Sequence, residues 1–227
     1  MGNALKSGIG GPLSHPPVCG ILPVGGTQVD DLKREFMDLR EMWIVTPSTD
    51  LRNLHRDVWR MAHHQKDNAG RTFLFALAGD GRALVRGPYL PGPHSKPASS
   101  VMDGERWRFL IDVRTISRFG SQERVLPQTE VPAWLAAHLP GFTLEPEALR
   151  VSLPRRRVFE EGRTLPYRTI TGIVQVTNAA QAEQVLRTGV GRSKAFGFGM
   201  LILAERLEGE ASADTRRHAE PERAAKG

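Results

Sequence analysis

The chain has 227 residues, of which 40% are hydrophobic and 25% are charged, a composition typical of a globular protein. Its longest apolar run falls far short of the ~20 residues that cross a membrane, and no apolar leader follows Met1, so we expect a cytoplasmic protein with no membrane contact. The single cysteine, Cys19, excludes an internal disulfide and a zinc site built from several cysteines.

The charge balance favours a polyanionic partner. Lysine and arginine number 31 against 25 acidic residues, which gives a formal net charge of +6. Most of the basic residues are arginines, whose planar side chains pair with phosphate and stack on bases. Because a GC-rich coding sequence also enriches arginine, the composition by itself leaves the partner open.

Residues 1–41 form a predicted extension to the folded part of the chain. Residues 1–26 are rich in glycine and proline, which predicts a disordered segment. A short helix is then predicted from an apolar stripe at helical spacing, which consists of Val29, Leu32, Phe36 and Leu39. An alternative is a start codon assigned too early, with Met37 or Met42 as the true first residue.

A short strand and a histidine-bearing helix come next. Trp43-Ile44-Val45 predicts the strand, and a cap within 48–50 begins a helix that reaches about Lys66. The helix has a core stripe of Leu51, Leu54, Val58 and Met61. With about 100° per residue, His55 lies about 80° from the centre of that stripe, at the boundary with water. Further round on the same side lie Arg52, Arg56, Trp59 and His63.

The remaining elements alternate strands with helices. Strands are predicted over 71–77, 82–86, 106–113, 149–159, 167–176 and 200–204. Helices are predicted over 131–138 and from Asn178 to Gly189, and the tail over 208–227 is expected to be disordered. The β-α-β-β order predicts an α+β protein with two tandem ferredoxin-like (RRM-like) domains, over 42–118 and 119–207.

The glycine-rich loop that begins at Gly189 and ends at Gly199 is the most distinctive motif. Alternating glycines, with Arg192 and Lys194 between them, can bring backbone N–H groups and two cations close to phosphate. The order of residues and elements does not match a Walker A loop or a dinucleotide-binding loop. The alternative is a plain turn in which glycine supplies a positive φ.

Five segments together resemble the CasE family of CRISPR-associated repeat-RNA endonucleases, which belongs to the RAMP superfamily. The glycine loop, continued through Met200-Leu201, is similar to that family's C-terminal loop, and Thr171-Gly172-Ile173-Val174-Gln175-Val176 resembles the strand before it. Upstream, the resemblance includes Met42-Trp43, Leu54-His55-Arg56-Asp57-Val58-Trp59 and Arg71-Thr72-Phe73-Leu74-Phe75. It covers residues 42–206.

The resemblance implies an endoribonuclease that cleaves the CRISPR precursor transcript at the base of each repeat hairpin. The family needs no metal or other cofactor, and it stays bound to its product beside the other subunits of the Cascade complex. The family's histidine corresponds to His55, which as general base would take the proton of a 2′-hydroxyl. The products would carry a 2′,3′-cyclic phosphate and a 5′-hydroxyl.

The sequence departs from the family at two places. Arg52 occupies the position, three residues before the histidine, where the family has a tyrosine, and we predict that Arg52 stabilises the charged phosphate during catalysis. Ile111-Asp112-Val113-Arg114-Thr115 replaces the family's Leu-Arg-Ala-Asn-Pro motif. The predicted RNA contacts are Arg56, Arg155, Arg156, Arg157, Arg168, Gly189, Gly191, Arg192, Lys194, Gly197 and Gly199.

Several residues have a structural interpretation as well as a functional one. The arginine run 155–157 has a solvated edge strand as its alternative to an RNA contact, and Trp59 can pack in the core or stack on a base. His63-His64 reads as a solvated helix end rather than a metal site. At the level of the whole protein, a non-catalytic RNA-binding subunit of a CRISPR effector and a nucleotide-binding enzyme remain the alternatives.

Overall fold

The computed structural model describes residues 39–46, 48, 50–62, 73–88, 90, 92–119 and 122–208. The predicted helix before residue 39, the His63-His64 pair and the tail beyond 208 lie outside these residues. Within them, no helix is long and apolar enough to span a membrane.

The first half of the chain folds into a four-stranded antiparallel sheet covered by one helix. Its elements are β1 (Arg40–Val45), α1 (Leu51–Ala62), β2 (Leu74–Leu77), β3 (Arg82–Gly87) and β4 (Lys96–Pro97), and the sheet order is β2-β3-β1-β4. The core lies between α1 and one face of the sheet, where Leu54 and Val58 pack with Phe75 and Val85. This strand order is that of a ferredoxin-like fold, although the chain between β3 and β4 has no described helix.

The second half repeats the arrangement with both helices present. Its elements are β5 (Arg106–Val113), β6 (Ile116–Phe119), β7 (Gln122–Val125), α2 (Val131–Ala137), β8 (Phe142–Leu144), β9 (Arg150–Val151), β10 (Arg155–Glu160), β11 (Arg163–Val176), α3 (Ala179–Thr188) and β12 (Ile202–Leu207). The sheet order is β10-β11-β5-β12, and β8 and β9 also pair with β11. Leu135 of α2 and Ala182 of α3 are buried against Ile111 and Ile170 of the sheet.

The two sheets confirm the predicted α+β class and its ferredoxin-like halves. Strand β5 lies within the first predicted domain, 42–118. In the structure it pairs with β11 and β12, so it belongs to the second sheet. The bounds of separately folding domains stay a prediction. Asn178 caps α3 by accepting the N–H of Gln181 at 3.0 Å, and Gly189 ends it at φ 72°, as expected.

Several predicted strands have other bounds in the structure, and β1 and β11 begin earlier than predicted, at Arg40 and Arg163. The strand expected over 149–159 divides into β9 and β10, because Pro154 has no N–H for the ladder and the pairing with β11 resumes at Arg155. The last strand begins at Ile202 rather than at residue 200 and continues to Leu207. Met200 instead belongs to a buried cluster with Leu74, Ala76 and Leu84 of the first sheet.

Arg86 forms a buried ion pair within the first sheet and joins the two halves through hydrogen bonds to backbone carbonyls of the second. It is 4% exposed, and its guanidinium donates to Glu41 Oε1 at 2.6 and 2.8 Å. The same side chain donates to the carbonyl oxygens of Leu201 at 2.9 Å and Leu186 at 3.2 Å, which lie before β12 and in α3. Burial lowers the pKa of the Arg86 guanidinium, and the Glu41 carboxylate opposes that shift. Strand β3 is thereby tied to the second sheet.

We expect Arg86→Ala to lower the free energy of unfolding by about 3–5 kcal/mol, because it leaves the Glu41 carboxylate and two carbonyl groups buried without a partner. Arg108→Ala is the matched control: Arg108 pairs with Glu205 at 3.0 Å but is 59% exposed, so its loss should cost less than about 1 kcal/mol. Urea denaturation measures both values. Equal losses would contradict the role of the buried pair.

Candidate active site

Helix α1 carries His55 on the edge of its apolar face. Asp50 caps the helix, since its carboxylate accepts the N–H of Asn53 at 2.8 Å, and this hydrogen bond lowers the pKa of the Asp50 carboxyl. Leu54 and Val58 are buried beneath the helix, whereas His55 is half-buried. The predicted position of His55 at the boundary with water is confirmed.

Ring contacts, rather than hydrogen bonds, surround the buried side of the His55 imidazole. Nδ1 is enclosed and has no hydrogen-bond partner among the described residues. The ring centroid lies 5.8 Å from that of Trp59 and 5.8 Å from that of Phe196. On the open side, His55 lines a pocket together with Arg56, Trp59 and Arg60. Nε2 is therefore the ring nitrogen that a substrate in this pocket can reach.

Trp59 has the first of the two roles that the sequence left as alternatives, core packing. Its ring packs edge to face against Phe73, with the centroids 5.6 Å apart, at the margin of the first core. It also lines the pocket beside His55. Core packing is therefore present in the structure, and a stacking contact with a base stays a prediction.

Arg52 forms an ion pair across the two halves of the molecule. Its guanidinium donates to Glu160 Oε2 at 2.9 Å, and its side chain is 65% exposed. Arg163 donates to the other carboxylate oxygen of Glu160 at 2.8 Å. Arg56 is exposed and donates to the side-chain oxygen of Asn53. Arg52 is thus held beside the histidine helix, with part of its charge offset by Glu160.

A β-bulge in β10 explains how Glu160 reaches α1. The register against β11 shifts between Val158 and Glu160, so alternation along the strand is interrupted there. Phe159 packs edge to face on Phe196 at 4.7 Å, and the next residue, Glu160, extends to Arg52. In a regular strand, Phe159 and Glu160 would point to opposite faces of the sheet.

The arginine run at the start of β10 divides into two exposed cations and one internal cation. Arg155 and Arg156 are exposed. Arg157 points inward, donates to Asp112 Oδ2 at 2.8 Å and lies over the Tyr167 ring at 4.6 Å. Arg155 and Arg156 remain accessible to a polyanion, whereas the described contacts of Arg157 are internal.

Arg168 does not suit the RNA contact predicted for it. It is 4% exposed, and it donates to the carbonyl oxygens of Ser152 at 2.7 Å and Leu126 at 3.2 Å. The residue lies at the point where β11 pairs with the end of β5, opposite Val113. A side chain so enclosed ties neighbouring loops together, and it does not present its charge to a ligand.

Each predicted glycine in the loop has a positive φ, as the turn interpretation expected. The φ angles are 72° at Gly189, 69° at Gly191, 78° at Gly197 and 80° at Gly199. A Cβ atom at Gly197 would lie 2.7 Å from the Phe75 ring, and one at Gly189 would lie 2.8 Å from a carbonyl oxygen. Glycine is therefore required both for the backbone conformation and for close packing.

Most of the glycine N–H groups that were expected to hold phosphate are already paired. Those of Gly189 and Gly199 donate to the carbonyl oxygens of Val185 at 2.8 Å and Asp112 at 2.7 Å. The N–H of Gly197 donates to the carbonyl of Lys194 at 3.4 Å. These contacts tie the loop to α3 and to β5 and close one turn within it, so they do not support a phosphate cradle made by those three groups.

The two cations of the loop differ in how far they reach into solvent. Arg192 is exposed. Lys194 is half-buried, and its Cδ would lie 3.0 Å from a Cβ atom added at Gly189, so its aliphatic stem lies close to the start of the loop. Arg192 is the loop cation best placed to meet a polyanion.

Sequence reasoning missed three residues that shape the site. Phe196 was quoted within the loop motif but not assigned a role, and Glu160 and Asp112 were not singled out. Each acts through a partner far away in the sequence, namely His55, Arg52 and Arg157. The hydrophobic spacing of a single segment carries no signal for such pairs.

A family model described as "CRISPR associated protein" matches residues 33–205. Because the match covers more than half of the 227 residues, the chain belongs to this family of CRISPR-associated proteins. No curated protein sequence matches the chain significantly.

Solved structures of CRISPR proteins share the fold at low sequence identity. The CRISPR endoribonuclease Cse3 bound to a 19-nt RNA superposes with a TM-score of 0.62 at 20% identity, over 74% of this chain and 98% of that one. Cas6e from Escherichia coli str. K-12 gives 0.53 at 17% identity, over 73% and 98%. A chain of E. coli Cascade bound to a PAM-containing dsDNA target gives 0.50 at 18%, over 72% and 97%. These matches confirm the fold that the sequence resemblance implied.

We expect Gly199→Ala to lower the free energy of unfolding more than Gly162→Ala does. Both glycines have a positive φ, 80° and 72°, so alanine at either position carries strain of about 1–2 kcal/mol. At Gly199 the new methyl group also collides with the Val190 carbonyl, whereas nothing lies within 4 Å of it at Gly162. Thermal and urea denaturation should show an additional loss of about 1–3 kcal/mol for Gly199→Ala. Equal losses would show that the loop opens at no cost.

Proposed function

We propose that the protein is a metal-independent endoribonuclease that matures CRISPR RNA by cutting the precursor repeat at the base of its hairpin. The observation that carries the proposal is the position of His55, whose Nε2 side opens into a pocket flanked by the exposed cations Arg56 and Arg60. Family membership and the shared fold with the endoribonuclease Cse3 support the same assignment. We place its action in the cytoplasm.

His55 acts as the general base. Its Nε2 takes the proton of a ribose 2′-hydroxyl, and the oxygen attacks the neighbouring phosphorus, so that a 2′,3′-cyclic phosphate forms. The bond from phosphorus to the 5′-oxygen breaks, and that oxygen takes up a proton from solvent and leaves as a 5′-hydroxyl. Histidine is suited to accept a proton near neutral pH.

Arg52 stabilises the negative charge that builds up on the phosphate as the 2′-oxygen attacks. It lies one turn before His55 on α1, on the side that faces Glu160. When RNA enters, a phosphate oxygen can replace or share the Glu160 carboxylate as the acceptor of the Arg52 guanidinium. The cation is thus held ready near the reacting group, although the carboxylate competes for it.

The RNA backbone is held by the exposed cations on both halves of the molecule. Arg155 and Arg156 on β10, Arg56 on α1 and Arg192 in the glycine loop are exposed in the RNA-free protein. Lys194 adds charge at the base of the loop. The product stays bound, and the protein keeps it within Cascade, where a chain of the same fold occurs in the E. coli complex.

A non-catalytic RNA-binding subunit is the second candidate. The observation that favours it is Arg52, which stands where the family has a tyrosine and whose guanidinium lies in an ion pair with Glu160. In that case the same cations bind the repeat, and the cut is made by another protein. A nucleotide-binding enzyme is less well supported, because the loop follows α3, leads into β12 and uses three glycine N–H groups internally.

We expect His55→Ala to abolish cleavage of a labelled repeat RNA in EDTA while leaving its binding within about threefold, because the imidazole reacts with the RNA but contributes little to holding it. A substrate with a single 2′-deoxy sugar at the cut site should bind and remain uncut. Gel analysis gives the cleavage rate, and a filter assay gives the Kd. Tight binding of both substrates with no cut by the native protein would assign the RNA-binding role instead.

Arg52→Ala should lower the single-turnover cleavage rate at saturating protein by about 10–100-fold, since a cation beside the reacting phosphate is removed. Arg108→Ala is the matched control, because Arg108 is about as exposed and its carboxylate partner lies at a similar distance, 3.0 Å against 2.9 Å. Its rate should stay unchanged. A native rate for Arg52→Ala would remove Arg52 from the catalytic mechanism.

A further inference from the structure

The orientation of the His55 ring has no hydrogen bond to explain it within the described chain. Nδ1 is enclosed and has no hydrogen-bond partner in that part of the chain, so no carboxylate or carbonyl group there fixes the orientation of the ring through that nitrogen. What touches the ring is aromatic: Trp59 at an interplanar angle of 54° and Phe196 at 62°. Trp59 lies one turn along the same helix and moves with it, whereas Phe196 comes from the glycine loop of the second half.

We propose that Phe196 is a positioning residue, which holds the His55 imidazole so that Nε2 faces the pocket. The inference rests on the proposed function, because it concerns the geometry of the general base. An aromatic edge-to-face contact favours a limited range of ring angles, and reacting groups lose much of their rate when displaced by about 1 Å. Phe196 touches the histidine and not the RNA, so it affects the chemical step through His55.

The conformation of the glycine loop serves to present Phe196. Lys194–Phe196 form one turn of 3-10 helix, which begins after Ser193 at φ 60° and ends at Gly197 at φ 78°. The N–H of Phe196 donates to the Ser193 carbonyl at 2.9 Å, and Arg114 donates to the Ser193 hydroxyl at 2.8 Å. Ser193 is the non-glycine residue with positive φ in the described chain, which marks a conformation maintained by its surroundings.

The far side of the Phe196 ring is also supported. Phe159, at the bulge of β10, meets it edge to face at 4.7 Å and 83°. Phe196 further packs against the buried cluster of Leu51, Tyr167 and Phe198. The ring is therefore held by Phe159, Tyr167 and Phe198 of the second half and by Leu51 of α1, and it also contacts His55. Presenting Phe196 is therefore a role for a glycine-rich loop whose glycine N–H groups mostly donate to carbonyl groups of the protein itself.

The test compares Phe196→Leu with Phe196→Tyr in the full chain. We expect Phe196→Leu to lower the single-turnover rate by about 10–100-fold at saturating protein with an unchanged Kd for the repeat RNA. Phe196→Tyr keeps the ring and should restore the native rate. Phe109→Leu removes the same volume from the other core and controls for lost stability. The NMR signals of the His55 ring, assigned by their absence in His55→Ala, should shift only in Phe196→Leu.

Each outcome decides the inference separately from the function. A native cleavage rate and unmoved His55 signals in Phe196→Leu would overturn the positioning role while the nuclease stands. If Phe109→Leu loses as much cleavage rate as Phe196→Leu, and the His55 signals stay unmoved in both, the rate loss comes from lower stability. That result would also overturn the positioning role. If the native protein does not cut RNA, the proposed function fails. The His55 signals of the RNA-free protein then still decide whether Phe196 orients the ring.

Discussion

The packing of α1 against the second half of the molecule is the contact on which the site depends. Leu51 at the start of α1 is buried together with Tyr167 of β11 and Phe198 of the glycine loop, and all three are at most 8% exposed. This cluster sets the distance between the histidine helix and β10. Because it is apolar and largely removed from water, its burial stabilises one arrangement of the two halves. Arg86 adds a directional constraint on the opposite side of the first sheet.

Asp112 of β5 links several elements close to that cluster. Asp112 accepts Arg157 at 2.8 Å and the Thr169 hydroxyl at 2.6 Å, and its carbonyl accepts the Gly199 N–H at 2.7 Å. Arg157 in turn lies over the Tyr167 ring. One residue thus links β5, β10, β11 and the end of the loop. The charges of segment 111–115 are paired within the protein, since Asp112 pairs with Arg157 and Arg114 pairs with Glu123 at 2.8 Å.

Charge and shape have separate roles around the pocket. The exposed cations on α1, on β10 and in the loop can be rearranged by a bound polyanion, because water already solvates them. The buried side of the His55 ring instead contacts the rings of Trp59 and Phe196, which form no hydrogen bond to it that water could replace. The glycine loop contributes to both, since Arg192 is exposed and Phe196 contacts the His55 ring.

The sequence by itself determined the class of fold, the boundary position of His55 and the family. Helical and strand periodicities and the glycine motif are local patterns, and they extend over enough residues to be read without coordinates. Only the tertiary structure decided which arginines are available, since Arg155, Arg157 and Arg168 are alike in sequence but differ in burial and partners. It also placed β5 in the second sheet and Phe196 against His55. Pairings between distant segments depend on how the two halves pack, and the spacing within one segment does not encode that packing.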